Sequence, residues 1–112
     1  MNIESQSLEG GVLKLNLSGR LDLAGTQQID LKFSAYASSQ RAVIVDLAAV
    51  EFLASIGIRT LVLTAKTMAS RGGKMVLLNP VPNVKQVLET AGIDALIPIF
   101  PSLDAARAAF AS

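Results

Sequence analysis

The sequence predicts an α/β fold: a mixed sheet of four to five strands that starts with a hairpin and carries its helices mainly on one face. Three observations lead there. Two extended runs flank a glycine pair near the N-terminus, and β-branched runs then alternate with segments of helical period. The 112 residues, 51% hydrophobic and 17% charged, suffice for one core and not for two. One domain over residues 1–112 is expected.

The elements follow in order. Ile3 to Leu8 and Val12 to Leu17 flank Glu9-Gly10-Gly11, and the second run alternates polar and apolar through Lys14, Leu15, Asn16 and Leu17, which predicts a hairpin of open register. From about Thr26 to Ala37, Ile29, Phe33, Tyr36 and Ala37 recur at helical spacing. Ala42-Val43-Ile44-Val45-Asp46-Leu47 is a short, nearly continuous apolar run, expected as the central strand. Ile56 to about Ser70 presents Ile58, Leu61, Val62, Ala65 and Ala69 on one helix face, stopped at Arg71-Gly72-Gly73. Lys74 to Leu78 predicts another buried strand. Asn83 is expected to cap a short helix carrying Val84, Val87 and Leu88, which ends at Gly92. Ile97 to Phe100 reads as a weak strand that Pro98 confines to an edge, and Ser102 as the cap of a closing helix from Leu103 to about Phe110.

Composition removes several function classes. The 10 basic and 9 acidic residues are dispersed, so no basic run exists to neutralise a row of phosphates, and nucleic acid is not an expected partner. Histidine is absent, and with it the commonest general base and zinc ligand; cysteine is absent too, which fits a reducing compartment. The N-terminal MNIESQSLEGG lacks the order of a signal peptide, and no apolar run reaches the ~20 residues that span a bilayer. A cytoplasmic protein with no direct membrane binding, no metal and no cofactor is expected; Glu9-Gly10-Gly11 and Arg71-Gly72-Gly73 read as turns rather than phosphate cradles.

The informative stretch is Val43 to Val62, VIVDLAAVEFLASIGIRTLV, a buried strand leading through a short loop into the N-terminus of the longest helical pattern. Ser55 lies at that helix start. One reading makes it an ordinary N-cap, its hydroxyl accepting from an amide two or three residues on, worth ~1 kcal/mol. The other makes it a phosphoacceptor, whose phosphate would sit beside the amides of Ile56, Gly57 and Ile58 at the positive end of the helix dipole. Gly57 would allow close backbone approach or would simply pack, and Arg59, one turn on, would pair with the phosphate or stay solvated. Leu53 or Ile56, if exposed, would anchor a partner. Asp22 is a turn or capping residue on one reading and a partner contact on the other.

Ser18-Gly19-Arg20-Leu21-Asp22, the run Val43 to Leu47, and Val50-Glu51-Phe52-Leu53-Ala54-Ser55-Ile56-Gly57-Ile58 together resemble the G-x-L-D and strand-loop-S-x-G-[LI] pattern of STAS domains of anti-sigma factor antagonists. The resemblance covers essentially the whole chain. It implies a binding module rather than an enzyme, in which unphosphorylated protein binds an anti-sigma factor with serine kinase activity. It further implies that Ser55 is the phosphoacceptor, that a metal-dependent serine phosphatase reverses the modification, and that Asp22 belongs to the partner-binding surface, to which the reading of the residues around the helix start adds Leu53, Ala54, Ser55, Ile56, Gly57 and Arg59. The chain departs from the common pattern in carrying Ala54 where many members have aspartate and Ile56 where many have a small residue. The alternative within the same fold is an unphosphorylated scaffold subunit of a transporter or signalling complex. A serine nucleophile at Ser55 would lack any histidine to activate it.

Overall fold

The computed structural model describes residues 1–110. Five strands and four helices follow one another as β1 (Asn2–Leu8), β2 (Val12–Leu21), α1 (Leu23–Ser39), β3 (Ala42–Leu53), α2 (Ser55–Ser70), β4 (Lys74–Leu78), α3 (Pro82–Thr90), a 3-10 turn (Ile93–Ala95), β5 (Ile99–Phe100) and α4 (Leu103–Ala108). The sheet order is β1-β2-β3-β4-β5, with β1 antiparallel to β2 and the other neighbours parallel. β3 is therefore the middle strand, as its apolar run predicts.

The hairpin pairs Leu8 with Val12 and Asn2 with Ser18, which settles the open register. Gly10 and Gly11, with φ of 80° and 77°, make its turn in a region that side chains with a Cβ disfavour. β2 and β3 both run further than the sequence pattern suggests, to Leu21 and Leu53, because they continue to pair with each other. The register shifts twice on the way, between Asn16 and Ser18 and between Gly19 and Arg20, each shift adding a residue on β3. Inward side chains on β3 therefore pass from every second residue (Val43, Val45, Leu47) to every third (Val50, Leu53). A search for strict alternation stops at Leu47 for that reason.

The main core lies between one sheet face and helices α1, α2 and α3, around Leu15, Leu17, Phe33, Val45, Leu61, Leu77 and Leu88. α4 packs on the opposite face, where Leu103, Ala106, Ala109 and Phe110 meet Val12, Ile44, Val76 and Leu78. That face is otherwise polar at β2 and β3, where Lys14 pairs with Asp46 at 3.2 Å and with Asn16 at 2.8 Å. Asp46 lies within β3, which continues to Leu53.

Three local expectations are corrected. α1 begins at Leu23 rather than Thr26, because Asp22 caps it while Leu23, exposed, contributes nothing to the apolar period. α3 begins at Pro82 with Val81 as N-cap; Asn83 is inside the helix and sends its Nδ2 to the Glu51 carbonyl, 3.0 Å away. The edge strand shrinks to Ile99–Phe100. Ser102 does cap α4, accepting from the Ala105 N–H at 3.2 Å. The end of α2 does more than stop the helix: Arg71 donates to the Ala37 and Ser38 carbonyls at 2.7 and 3.0 Å, supplying acceptors at the C-terminus of α1 with donors.

Candidate functional site

Parallel pairing of β2 and β3 sets the ends of both strands side by side, and each strand leads at once into a helix. Arg20 is opposite Phe52 and Leu21 opposite Leu53, and the Ala54 N–H donates to the Leu21 carbonyl at 2.9 Å. The N-termini of α1 and α2 consequently emerge together at the carboxyl edge of the sheet, the usual place for recognition in an open α/β sheet. Asp22 and Ser55, 33 positions apart in the chain, are brought to that one edge.

Ser55 is not the N-cap. Ala54 holds that position in extended conformation without a side-chain cap, and Ser55 is the first helical residue, exposed. The Ile58 N–H already donates to the Ala54 carbonyl at 3.1 Å, so the first-turn amides without an intrahelical acceptor are those of Ser55, Ile56 and Gly57 rather than of Ile56, Gly57 and Ile58. A group carried on the Ser55 hydroxyl meets solvent on one side and the positive end of a 16-residue helix on the other.

Two residues expected at a partner surface are core instead. Leu53 is 4% exposed and packs inward with Leu21. Gly57 is buried, and a Cβ there would lie 3.0 Å from both the Leu21 carbonyl oxygen and Leu53 Cδ1, so glycine lets the start of α2 press against the end of β2. Ala54 and Ile56 are half-buried, and Arg59 is exposed one turn beyond Ser55. A groove of about 400 Å³ opens beside Ser55, between Ile58 on α2 and Asn83, Val87 and Thr90 on α3.

Asp22 is the N-cap of α1, its Oδ1 accepting from the Gly25 N–H at 2.8 Å. Its Oδ2 lies 3.5 Å from Arg20 Nε. The Gly25 amide chiefly, and then Arg20, hold its carboxyl below the usual aspartate range against an opposing desolvation effect. The Arg20 guanidinium in turn stacks over the Phe52 ring, 4.5 Å from its centroid. Arg20 and Phe52 are absent from the sequence-derived site, because their pairing depends on the second register shift, which no periodicity reveals.

No helix among the described residues is long and apolar enough to cross a membrane, and no cluster of acidic, histidine or cysteine side chains that would hold a metal ion occurs among them.

Comparison with known proteins agrees with this geometry. The family model for the STAS domain matches residues 6–106. The candidate anti-sigma factor antagonist BtrV of Bordetella bronchiseptica is 32% identical over 101 residues, covering 89% of this chain and 87% of BtrV. Among solved structures, an anti-sigma factor antagonist from Mycobacterium paratuberculosis superposes with a TM-score of 0.88 at 25% identity, covering 96% of this chain and 92% of that one. An anti-sigma-factor antagonist (STAS) domain protein from Planctomyces limnophilus gives 0.84 at 28% identity over 97% of both chains. The sheet order, the paired helix starts at its carboxyl edge and the extent of these matches place this chain in the STAS domain family.

Proposed function

We propose that this chain is a cytoplasmic anti-sigma factor antagonist, a binding module and not an enzyme, that engages an anti-sigma factor with serine kinase activity and is switched off by phosphorylation at Ser55. The observation that carries the reading is the placement of Ser55 at the first position of α2, exposed and relieved of capping by Ala54. A serine that serves as a cap has its oxygen committed to the helix; this one has it available to a kinase. The names of the similar proteins support the same function.

In the proposed step the γ-phosphoryl group of ATP passes to Ser55 Oγ, releasing ADP and the hydroxyl proton. The product carries about −1.5 to −2 charges near neutral pH, and the free first-turn amides and helix dipole accommodate them without local unfolding. At a docked surface, an unmatched charge of that size costs on the order of 3 kcal/mol, a ~100-fold loss of affinity. A local change of charge is sufficient, and hydrolysis by a metal-dependent serine phosphatase restores binding. Asp22, Ala54, Ile56 and Arg59 surround Ser55 in this reading, while Leu53 and Gly57 support them from below.

Intact-mass analysis after incubation with the candidate anti-sigma kinase and ATP tests the reading. One phosphate on the wild type and none on Ser55→Ala is the expected result, with loss of kinase binding by the phosphorylated form. Tight binding with no phosphate on either protein would overturn the switch and leave a scaffold subunit.

A further inference from the structure

The cluster of Asp22, Arg20 and Phe52 contains more organisation than capping α1 requires. Arg20 projects from the last turn of pairing between β2 and β3 with its side chain 57% exposed, yet it is restrained on two sides. Its guanidinium carbon lies over the Phe52 ring, 4.5 Å from the centroid, and its Nε is 3.5 Å from Asp22 Oδ2. Such restraint removes much of the rotamer freedom that a surface arginine otherwise loses on binding. Phe52 itself keeps 38% of its surface exposed, large for an aromatic ring at the end of a central strand.

The unspent bonding capacity of the cluster is cationic. Asp22 has one oxygen on the Gly25 amide and the other toward Arg20. The guanidinium engages Asp22 through Nε, leaving both Nη groups for an acceptor outside the molecule. Arg59 adds an exposed positive charge on α2 with no ion-pair partner among the described residues. Arginine and an aromatic ring in contact, each partly exposed, are the residue types that dominate binding energy at interfaces, and the arginine fork matches a carboxylate in two parallel bonds.

We propose that Arg20 and Phe52 form a preset anchor for an acidic, apolar-flanked segment of the protein partner, with a partner carboxylate on the Arg20 Nη groups and an aliphatic side chain against Phe52. The proposal rests on the reading of this edge as the partner-binding surface and names the chemistry of the surface it meets. It also explains the direction of the switch. Phe52 and Ser55 are three residues apart, at most ~11 Å between Cα atoms, so the anchor and the phosphoacceptor fall within one docked interface. A phosphate on Ser55 would therefore confront the acidic segment that Arg20 attracts.

The test is calorimetric titration of the candidate anti-sigma kinase into wild type, Arg20→Gln, Phe52→Ala and the distant control Lys66→Gln, at about 50 and about 300 mM salt. Thermal melts confirm that each variant is folded. Arg20→Gln is expected to weaken binding about tenfold or more at low salt and to flatten the salt dependence. Phe52→Ala is expected to weaken it similarly at both salts, and Lys66→Gln to leave it unchanged. Wild-type affinity and salt dependence in Arg20→Gln would overturn the anchor. Tighter binding by Arg20→Gln would overturn it too, and would mean that a basic partner reads Asp22 while Arg20 competes for it. Either failure leaves the Ser55 switch standing if phosphorylation still abolishes binding. Conversely, an anchor effect with no effect of phosphate would remove the switch alone, and no binding by wild type would remove both.

Discussion

At the scale of single residues, the site is shaped by what is small. Gly25 sits where a Cβ would lie 1.8 Å from the Arg20 carbonyl oxygen, a backbone atom that cannot move without shifting β2. At Gly57 the corresponding contacts are 3.0 Å, and one of them is the end of the Leu53 side chain. The two glycines therefore differ in kind. Gly57→Ala is expected to cost ~1–3 kcal/mol, typical of a tight site that can relax. Gly25→Ala is expected to cost more, since the helix start must retreat and its amide must leave Asp22. Urea denaturation of the two variants decides the order; equal midpoints would contradict it. Ser55→Ala, by contrast, removes an exposed hydroxyl with no cap to lose, and its denaturation midpoint is expected within ~0.5 kcal/mol of wild type. A loss of about 1 kcal/mol or more would restore Ser55 as a structural residue.

At the scale of elements, α1 and α2 begin differently although both follow a β-strand at the same edge. α1 has a charged cap, held by Gly25 and flanked by Arg20; α2 has alanine at its cap and leaves its first amides available. The charged cap makes α1 the acid-sensitive helix. The Asp22 carboxyl is held below its ordinary value, so its contribution to stability is fully present above the unfolded pKa of ~3.9 and disappears as pH falls through the lower folded value. Asp22→Asn keeps an amide oxygen for capping but removes the titration. Below about pH 4 the wild type is expected to lose stability more steeply than Asp22→Asn, whereas above about pH 5 the two slopes run parallel. Parallel melting temperatures down to pH 2.5 (about 1.5 units below the ordinary aspartate range) would show that the capping bond does not discriminate the charged form.

At the scale of the whole molecule, the sheet order makes β3 central and leaves the two ends unequal. β3 is covered by α1, α2 and α3 on one face and partly by α4 on the other, while β1 has one neighbour and mostly exposed side chains. Arg71 adds a tie between the ends of α1 and α2 on the far side from Ser55. Hydrogen exchange is expected to be slowest at Val43–Leu47 of β3 and Met75–Leu77 of β4, and fastest in β1 and α4 among the regular elements. The edge that carries Asp22 and Ser55 follows directly from the Val43–Leu47 stretch, through the part of β3 that pairs with β2 alone. Rapid exchange in β3 with protection in β1 would contradict the expected order.

The sequence by itself determined the number and order of most elements, because hydrophobic period, glycine breaks and capping serine at Ser102 are local signals written in neighbouring residues. It also marked Ser55, Asp22 and Arg59, through their place beside strand ends and a helix start. Tertiary structure decided what each of these residues does. That Val50 rather than Ala49 or Glu51 faces the core depends on the first register shift between β2 and β3, because a shift of one residue reverses a strand's faces, and the second shift returns Leu53 to the core. Whether Ser55 or Ala54 is the cap depends on where β3 ends, which is fixed by the bond from Ala54 to the Leu21 carbonyl rather than by helix propensity. The contact of Arg20 with Phe52 joins residues 32 positions apart, and only the pairing of their strands brings a guanidinium over that ring.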